Sequence, residues 1–287
     1  MSSSLKQSVN SGLRNLFGVE VVRTRTPVSF DEGWAEERDY WLEVIRDFYK
    51  NEYGLDLHES QTDQSLVPPL DTALKIQRAN KADADGFFAS GYRAAMIYQT
   101  ELCDYGSPAN RMQNILEMGV GLGRLIIHYF PFKAKLYGCD VTPEAAAWTR
   151  SKLGHRVEVE TTGVEPPLPY PDGLFDFVYA NSVFTHVPCS LMDRWAAELQ
   201  RIIRPGGFLI FSVLDANHYL RDLTYREFHR DFQAVGCRDW AREQGVLMLT
   251  YLSRESLFNT WGKHFRVLEL RTHYRELSHL ICQRAVS

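Results

Sequence analysis

The sequence has few cysteines, and those it has are not grouped. Five of its 287 residues are cysteines, and no two of them form a C-x-x-C pair: Cys103, Cys139, Cys189, Cys237 and Cys282. An odd number at scattered spacing is typical neither of a zinc site nor of a disulfide framework. We therefore expect reduced cysteines and, as the default setting for such a protein, the cytoplasm.

The sequence also lacks a long apolar run and an excess of charge of one sign. No segment has the roughly 20 consecutive apolar residues that a membrane-spanning helix needs. The opening, MSSSLKQSVNSG, lacks the basic-then-apolar order of a signal peptide. The net charge is -4, and lysine and arginine are interleaved with acidic residues. These absences predict no membrane insertion and no nucleic-acid partner, and they leave the oligomeric state open.

The chain before Asn110 has the pattern of a helical extension. Apolar residues recur at helical spacing in FDEGWAEERDYWLEVIRDFYKNEYG and in DADGFFASGYRAAMIYQTEL, with a loop, HESQTDQSLVPPLD, between them. This pattern predicts an extension or lid over residues 1–109, followed by the main domain at residues 110–287.

Short apolar runs and helical stretches alternate from Asn114 onward. Five runs predict parallel strands, NILEM, KLYGC, VEVE, FDFVYA and FLIFSVL, with helices beginning near Gly123, Pro143 and Met192. The last two runs, RVLEL and SHLICQR, are close enough to pair as an antiparallel hairpin at one edge. We therefore predict an α/β fold with a Rossmann-like, doubly wound, seven-stranded sheet, interrupted by an insert at about residues 215–245.

Three glycines at alternate positions, Gly119, Gly121 and Gly123, follow the strand that ends near Glu117. One glycine would suffice for a tight turn without a ligand, so three favour close approach of a ligand to the backbone. Arg124 follows Gly123, which excludes both the Gly-Lys of a phosphate-binding P-loop and the third glycine of a dinucleotide fingerprint. The loop therefore predicts a ligand other than a dinucleotide at the carboxyl end of the first strand.

The second predicted strand ends at Asp140, whose carboxylate can accept hydrogen bonds from both hydroxyls of a ribose. The alternative is that Asp140 caps the helix that begins at Pro143. Thr142 is the better placed cap, which leaves Asp140 for a ligand.

Four segments resemble the successive motifs of class I S-adenosylmethionine-dependent methyltransferases: LEMGVGLGR, YGCDVTPEA, PLPYPDGLFDFVYANSVFTHV and ELQRIIRPGGFLIFSV. The resemblance implies S-adenosylmethionine as the cofactor and S-adenosylhomocysteine as its product. It implies that Glu117 and the three glycines hold the methionine end and that Asp140 holds the ribose, with Val141 beside it. Asn181 and Ser182, after the fourth strand, would lie near the transferring methyl group.

One segment departs from that family. Many of its members have an acidic residue after the third strand that binds the adenine amino group. The corresponding segment here is ETTGVEPPLPYPDG, with Thr162, Gly163 and Val164 in that neighbourhood. We therefore expect backbone and apolar contacts to the adenine, with Glu165 as a displaced substitute.

Two histidines are candidate general bases, because an alcohol acceptor must lose its proton. His186 lies in NSVFTHVP after the fourth strand, and His218 follows the fifth, with Asp215 close enough in sequence to orient it. The simpler interpretations are a structural role for His186 and a solvated loop for His218. A metal site at Asp215, His218, Asp222 and His229 is a further alternative, but the spacing matches no definite metal site, and we expect no metal.

Two segments bear on the acceptor. SVFTHVP and YLSRESLFNTWGKHFRVLEL resemble stand-alone bacterial methyltransferases of glycan and natural-product pathways. This resemblance implies O-methylation of a sugar or natural-product hydroxyl, with N-methylation of a small amine as the alternative. An RNA or protein methyltransferase and a non-catalytic S-adenosylmethionine-binding regulator are further alternatives. The insert and the aromatic residues Phe87, Phe88 and Tyr92 are the predicted cover of the acceptor site.

Overall fold

A computed structural model describes residues 84–216, 218, 236–241, 248–273 and 277–286 of the chain. The first predicted helix and the loop after it lie outside the described residues, as do most of the predicted insert and the side chain of Phe88. The domain boundary predicted near residue 110 therefore stays a prediction.

The helices with described bounds are α1 (Ala84–Asp104), α2 (Pro143–Leu153), α3 (Met192–Ile202) and α4 (Arg254–Trp261). The strands are β1 (Asn114–Met118), β2 (Lys135–Asp140), β3 (Val157–Thr161), β4 (Phe175–Ala180), β5 (Ile203–Val213), β6 (Cys237–Ala241), β7 (Met248–Leu252), β8 (Arg266–Arg271) and β9 (Ser278–Gln283). None of the described helices combines the length and the apolar composition that a bilayer crossing requires.

Seven of the strands form one sheet, in the order β3-β2-β1-β4-β5-β9-β8. Strands β1 to β5 pair in parallel, and β9 runs antiparallel to both β5 and β8. The predicted seven-stranded, mostly parallel sheet with an antiparallel hairpin at one edge is confirmed. The strand order reverses between β1 and β4, and open α/β sheets bind ligands at the carboxyl ends of the strands at such a point.

Helices cover both faces of the sheet, so β4 is buried along its whole length. On one face Val178 belongs to a core cluster with Trp195 of α3 and Trp261 of α4. On the other face the ring of Tyr179 lies 5.3 Å from that of Tyr98 in α1. Because side chains alternate along a strand, consecutive residues of β4 anchor the two helical layers.

Strands β6 and β7 form a separate antiparallel pair beside the carboxyl ends of β4 and β5. The backbone N–H of Leu252 donates to the carbonyl of Leu214 at 2.9 Å, and that of Ser253 donates to the carbonyl of Gly236 at 2.7 Å. The N–H of Thr250 donates to the carbonyl of Thr185 at 2.8 Å. This pair thus holds the chain just before the predicted insert, at Leu214, and within it, at Gly236.

The prediction of an α-helix beginning near Gly123 is wrong, because the segment forms only a short 3-10 helix, Ile126–Tyr129. Gly121 and Gly123 have positive φ angles of 52° and 81°, which a right-handed helix does not allow. Pro131 follows soon after, so fewer than two helical turns fit between Gly123 and this proline.

The expectation of reduced cysteines is wrong for two of the five. Cys189 and Cys237 form a disulfide across a sequence separation of 48. The fold places β6 beside the segment after β4, where the N–H of Cys189 donates to the carboxylate of Asp239 at 3.0 Å. A contact between such distant segments leaves no local spacing signal. The free cysteines are Cys103, Cys139 and Cys282.

Removing this disulfide by changing Cys189 and Cys237 to serine will lower the free energy of unfolding by about 2–4 kcal/mol. The bond closes a long loop and so restricts the unfolded chain more than the folded one. Urea unfolding of the double variant and the original chain, with and without reductant, measures the difference. We expect reductant to remove that difference, and equal stability under oxidising conditions would contradict the prediction.

Candidate functional site

The glycine loop follows β1 and is hydrogen-bonded to the carboxyl end of the neighbouring strand β2. The N–H groups of Gly119 and Val120 donate to the carbonyl of Cys139 at 2.8 and 2.9 Å. A Cβ atom on Gly119 would lie 2.3 Å from Cγ2 of Val183, and one on Gly123 would lie 2.4 Å from Cδ1 of Leu153. Both glycines also have positive φ. Backbone geometry and protein packing each give a reason for these two glycines that needs no ligand, and their contact with the cofactor stays a prediction.

Glu117 is buried at the end of β1, with 2% of its surface exposed. The hydroxyl of Tyr179 donates to its carboxyl group at 3.0 Å. Burial raises the pKa of Glu117 to about 8, although the Tyr179 hydrogen bond and the charge of Arg124 act to lower it. Burial therefore favours the neutral carboxyl group, and a nearby cation would favour the ionised form.

Asp140 ends β2 and faces the glycine loop. Its Oδ2 accepts from the N–H of Gly121 and its Oδ1 from the N–H of Thr142, both at 2.8 Å. Thr142 is the N-cap of α2, as predicted, but its side chain makes no capping hydrogen bond. Each carboxylate oxygen can accept two hydrogen bonds, so the pair of oxygens can still take two hydroxyl groups. The next residue, Val141, is 49% exposed.

In the described segment after β3, no hydrogen bond or ion pair directs a carboxylate toward the carboxyl ends of β1 and β2. The N–H of Thr162 donates to the carbonyl of Asp140 at 3.0 Å, which ties the segment to the end of β2. Val164 is exposed. Glu165 pairs with Arg194 at 2.7 Å, with both side chains about half exposed. This pairing occupies the residue that we expected as a substitute acid.

The chain bends sharply after β4, at Asn181 and Ser182. Ser182 has a φ of 59°, which is uncommon for a residue other than glycine, and it is held there by a 2.6 Å hydrogen bond from its N–H to Oγ of Ser212. Its own hydroxyl lies 3.3 Å from that of Thr185. The hydroxyl of Tyr98 donates to Oδ1 of Asn181 at 3.3 Å. Backbone strain of this kind concentrates at functional sites.

His218 forms a buried pair with Asp215 after β5. Its Nδ1 lies 2.8 Å from Oδ1 of Asp215, and 4% of the residue is exposed. The hydroxyl of Ser278 donates to Oδ2 of Asp215 at 2.8 Å. Burial would raise the pKa of Asp215, but the hydrogen bonds from His218 and Ser278 outweigh it and lower the pKa to about 2. The pair therefore lies in the protein interior, and the alternative that His218 belongs to a solvated loop is wrong.

His186 lies half-buried in the turn after β4, where its backbone N–H donates to the carbonyl of Val183 at 2.9 Å. The structure thus keeps this histidine near the glycine loop, since Val183 packs against Gly119. Of the alternative metal ligands, Asp222 and His229 lie outside the described residues.

Helix α1 packs directly on the glycine loop. Nη1 of Arg124 donates to the hydroxyl of Ser90 at 3.1 Å. A Cβ on Gly91 would lie 2.1 Å from the carbonyl oxygen of Arg124, so this glycine permits the close approach. Phe87 and Tyr92 of the predicted acceptor cover are both buried. Gly91 therefore serves the packing of α1 on this loop.

Two groups that the structure brings to the site were not found from the sequence. Tyr98 reaches the segment after β4 from α1, and Ser278 reaches Asp215 from β9. Both partners are more than 60 positions away in the chain, so no local motif links them. Aromatic and hydroxyl residues of this kind are also common in strands and helices without any role in a site.

A glycine loop at the switch point of this seven-stranded sheet, with a carboxylate at the end of the second strand, is the arrangement by which Rossmann-like α/β domains bind nucleotide-derived cofactors. Residues 116–211 match the model of the family described as "Methyltransferase domain". This part of the chain is a class I S-adenosylmethionine-dependent methyltransferase domain, as the sequence motifs predicted.

Two curated relatives show how the chain compares in sequence. The sterol 4-C-methyltransferase strm-1 of Caenorhabditis elegans is 26% identical over 161 residues, which cover 51% of this chain and 47% of that protein. The glycine/sarcosine/dimethylglycine N-methyltransferase of Actinopolyspora halophila is 26% identical over 220 residues, 66% of this chain and 36% of that protein. The chain spans less than half the length of either relative.

One solved structure shows how the chain compares in fold. The magnesium protoporphyrin IX methyltransferase of Synechocystis PCC 6803, solved with bound S-adenosylhomocysteine, has a TM-score of 0.52 to this chain at 15% identity. The alignment covers 85% of this chain and 100% of that one. At this level of identity the likeness supports the shared fold.

Proposed function

We propose that the protein transfers the methyl group of S-adenosylmethionine to a hydroxyl oxygen of a small acceptor, a sugar or natural-product alcohol. The observation that carries this proposal is the buried Asp215–His218 pair after β5, next to the edge where such folds bind ligands. An alcohol is a poor nucleophile until its proton is removed, and a histidine oriented by an ionised carboxylate is suited to that task.

The residues around the glycine loop fit the cofactor. Bound there, S-adenosylmethionine supplies an electrophilic methyl group on a sulfonium ion. Asp140 offers the two acceptor sites that the ribose hydroxyls require, and the loop holds it in place through Gly121. Glu117 offers a buried carboxyl group, which an ammonium group would return to its ionised form. We propose that Gly119 and Gly123 shape this loop and that Val141 lies against the cofactor.

His218 removes the proton from the hydroxyl group of the acceptor. Since Nδ1 faces Asp215, the neutral ring carries its lone pair on Nε2, which takes the hydroxyl proton. Asp215 then stabilises the positively charged ring, and Ser278 holds the carboxylate in position. Both partners are buried, which limits how far the ring can turn away.

The strained turn after β4 positions the reacting groups. Asn181 and Ser182 lie where the class brings the methyl group and the acceptor together, and Tyr98 and Ser212 fix their conformation. Methyl transfer depends on alignment of the acceptor with the sulfur and the methyl carbon, and a rigid turn supplies such alignment. We propose that His186 supports this turn.

The relatives' names do not decide the acceptor, since one is a sterol C-methyltransferase and another an amine N-methyltransferase. A small amine is therefore the alternative acceptor, and it would not need the Asp215–His218 pair as a base.

The predicted cytoplasmic location stays a prediction. The Cys189–Cys237 disulfide favours an oxidising compartment instead.

A matched acceptor panel tests this function. Each sugar or natural-product alcohol is paired with its amino analogue, and formation of S-adenosylhomocysteine is measured in the presence of the full chain. We expect turnover with a subset of the alcohols and none with the matching amines. Turnover confined to amines would overturn the hydroxyl acceptor, and failure to bind S-adenosylmethionine in calorimetry would overturn the activity as a whole.

A further inference from the structure

Three side chains of types that can ligate a metal meet between α1 and the β8–β9 hairpin, and none of them is among the groups assigned above. They are Glu101 of α1, His273 after β8 and His279 of β9. Nε2 of His273 lies 2.8 Å from Oε1 of Glu101, and Nδ1 of His279 lies 2.8 Å from Oε2 of the same carboxylate. The chain brings these groups together across 172 and 178 positions, so three separate segments supply one donor each.

The cluster is enclosed. Glu101 is 1% exposed and His279 is 4% exposed. Buried polar groups need partners, and here the carboxylate of Glu101 faces an imidazole nitrogen with each of its two oxygens.

We propose that Glu101, His273 and His279 bind a divalent transition-metal ion of the zinc type. Two imidazole nitrogens and one carboxylate oxygen are a donor set that zinc accepts, with water in the fourth position. The proposal departs from our expectation that the protein has no metal, and it is independent of the methyl-transfer activity.

The distances leave a small adjustment for the ion. The three donor atoms lie within 4.8 Å of one another. Donors at about 2.0 Å from a tetrahedral ion lie about 3.3 Å apart, so no pair has to close by more than roughly 1.5 Å. Rotation of His273 provides this movement, because its side chain is 19% exposed and therefore the least confined of the three. The same opening gives the ion a path from solvent.

The ion would tie α1 to the sheet next to the proposed methyl-transfer site. The ring of Tyr98 stacks on that of His279 at 4.4 Å and an angle of 16°, while its hydroxyl donates to Asn181. Metal binding would therefore hold α1, the hairpin and the turn after β4 in one arrangement. Ligands that bind only the folded state raise its thermal stability.

Cobalt and zinc titrations of the full chain, after treatment with a chelator, test the site. We expect one equivalent of Co²⁺ to give the visible absorption of a four-coordinate ion, Zn²⁺ to displace it, and the melting temperature to rise with either metal. Absence of both the absorption and any calorimetric heat with Zn²⁺ would overturn the proposal.

A matched pair of variants locates the ion. His273→Gln keeps a donor at the position of Nε2 but removes a metal ligand, and we expect it to weaken Zn²⁺ binding at least about tenfold. His264→Gln is the control, because His264 is also 19% exposed and also faces a carboxylate, that of Asp193 at 3.4 Å. Circular dichroism confirms that both variants fold. Unchanged affinity in His273→Gln, or an equal loss in both variants, would place any bound metal elsewhere and overturn the assignment.

Discussion

Replacing His218 by asparagine will lower the turnover number with an alcohol acceptor by about 10²–10⁴-fold, the usual worth of a positioned general base. Asparagine keeps an N–H at the position of Nδ1, so the hydrogen bond to Asp215 is retained and the buried carboxylate stays paired. What disappears is Nε2, the atom assigned to the acceptor proton. The measurement is the steady-state rate of S-adenosylhomocysteine formation at saturating cofactor.

The comparison variants for this experiment are His186→Asn and Asp215→Asn. Asp215→Asn removes the charge that supports the ring, and we expect a loss that is smaller than in His218→Asn and in the same direction. Affinity for S-adenosylmethionine should stay within about threefold in all three variants, since a base acts on the acceptor. A larger loss in His186→Asn than in His218→Asn would transfer the role of base to His186. If neither histidine variant slows turnover, positioning alone is the better account.

Replacing Asp140 by alanine will weaken binding of both S-adenosylmethionine and S-adenosylhomocysteine by at least about 100-fold. Hydrogen bonds to a charged group are worth about 1.5–3 kcal/mol each, and the ribose would lose two such acceptors. The loop would also lose the bond from the N–H of Gly121, which fixes its conformation. Calorimetric titration with each compound gives the change in dissociation constant.

The control for Asp140 is Asp193→Ala, which removes a half-exposed carboxylate paired with Lys263 at 3.0 Å. Exposed pairs of this kind contribute little, so neither binding nor folding should change measurably. Unchanged cofactor affinity in Asp140→Ala, with folding intact, would refute the ribose role.

The strands were predictable from the sequence because their apolar runs are short, dense and bounded by polar residues. NILEM and FDFVYA match β1 and β4 residue for residue. Strands buried on both faces leave this signature whatever surrounds them. The order of the motifs then identified the fold, since the glycine loop and Asp140 lie at the ends of adjacent strands.

The parts that escaped prediction depend on contacts between distant segments. The Cys189–Cys237 disulfide, the bond from Ser278 to Asp215 and the bond from Tyr98 to Asn181 each join residues from separate elements. Their spacing in sequence carries no information about their spacing in the fold. The missing helix after Gly123 has a local cause, since the positive φ of that glycine cannot be read from its identity alone.

The hydrogen bonds at the end of β7 bear on how the acceptor side of this protein can change. The chain leaves the main sheet at Leu214 and reaches the β6–β7 pair at Gly236, and the carbonyls of these two residues accept hydrogen bonds from the adjacent residues Leu252 and Ser253. A segment whose two ends are held side by side changes length at a low cost, about 0.6 kcal/mol for each doubling. Asp215 and His218 follow the first anchor directly, so the exchangeable part lies between His218 and Gly236. Grafting a segment of another length there should leave the cofactor half folded and the Asp215–His218 pair in place, so that acceptor range can change without a change in either.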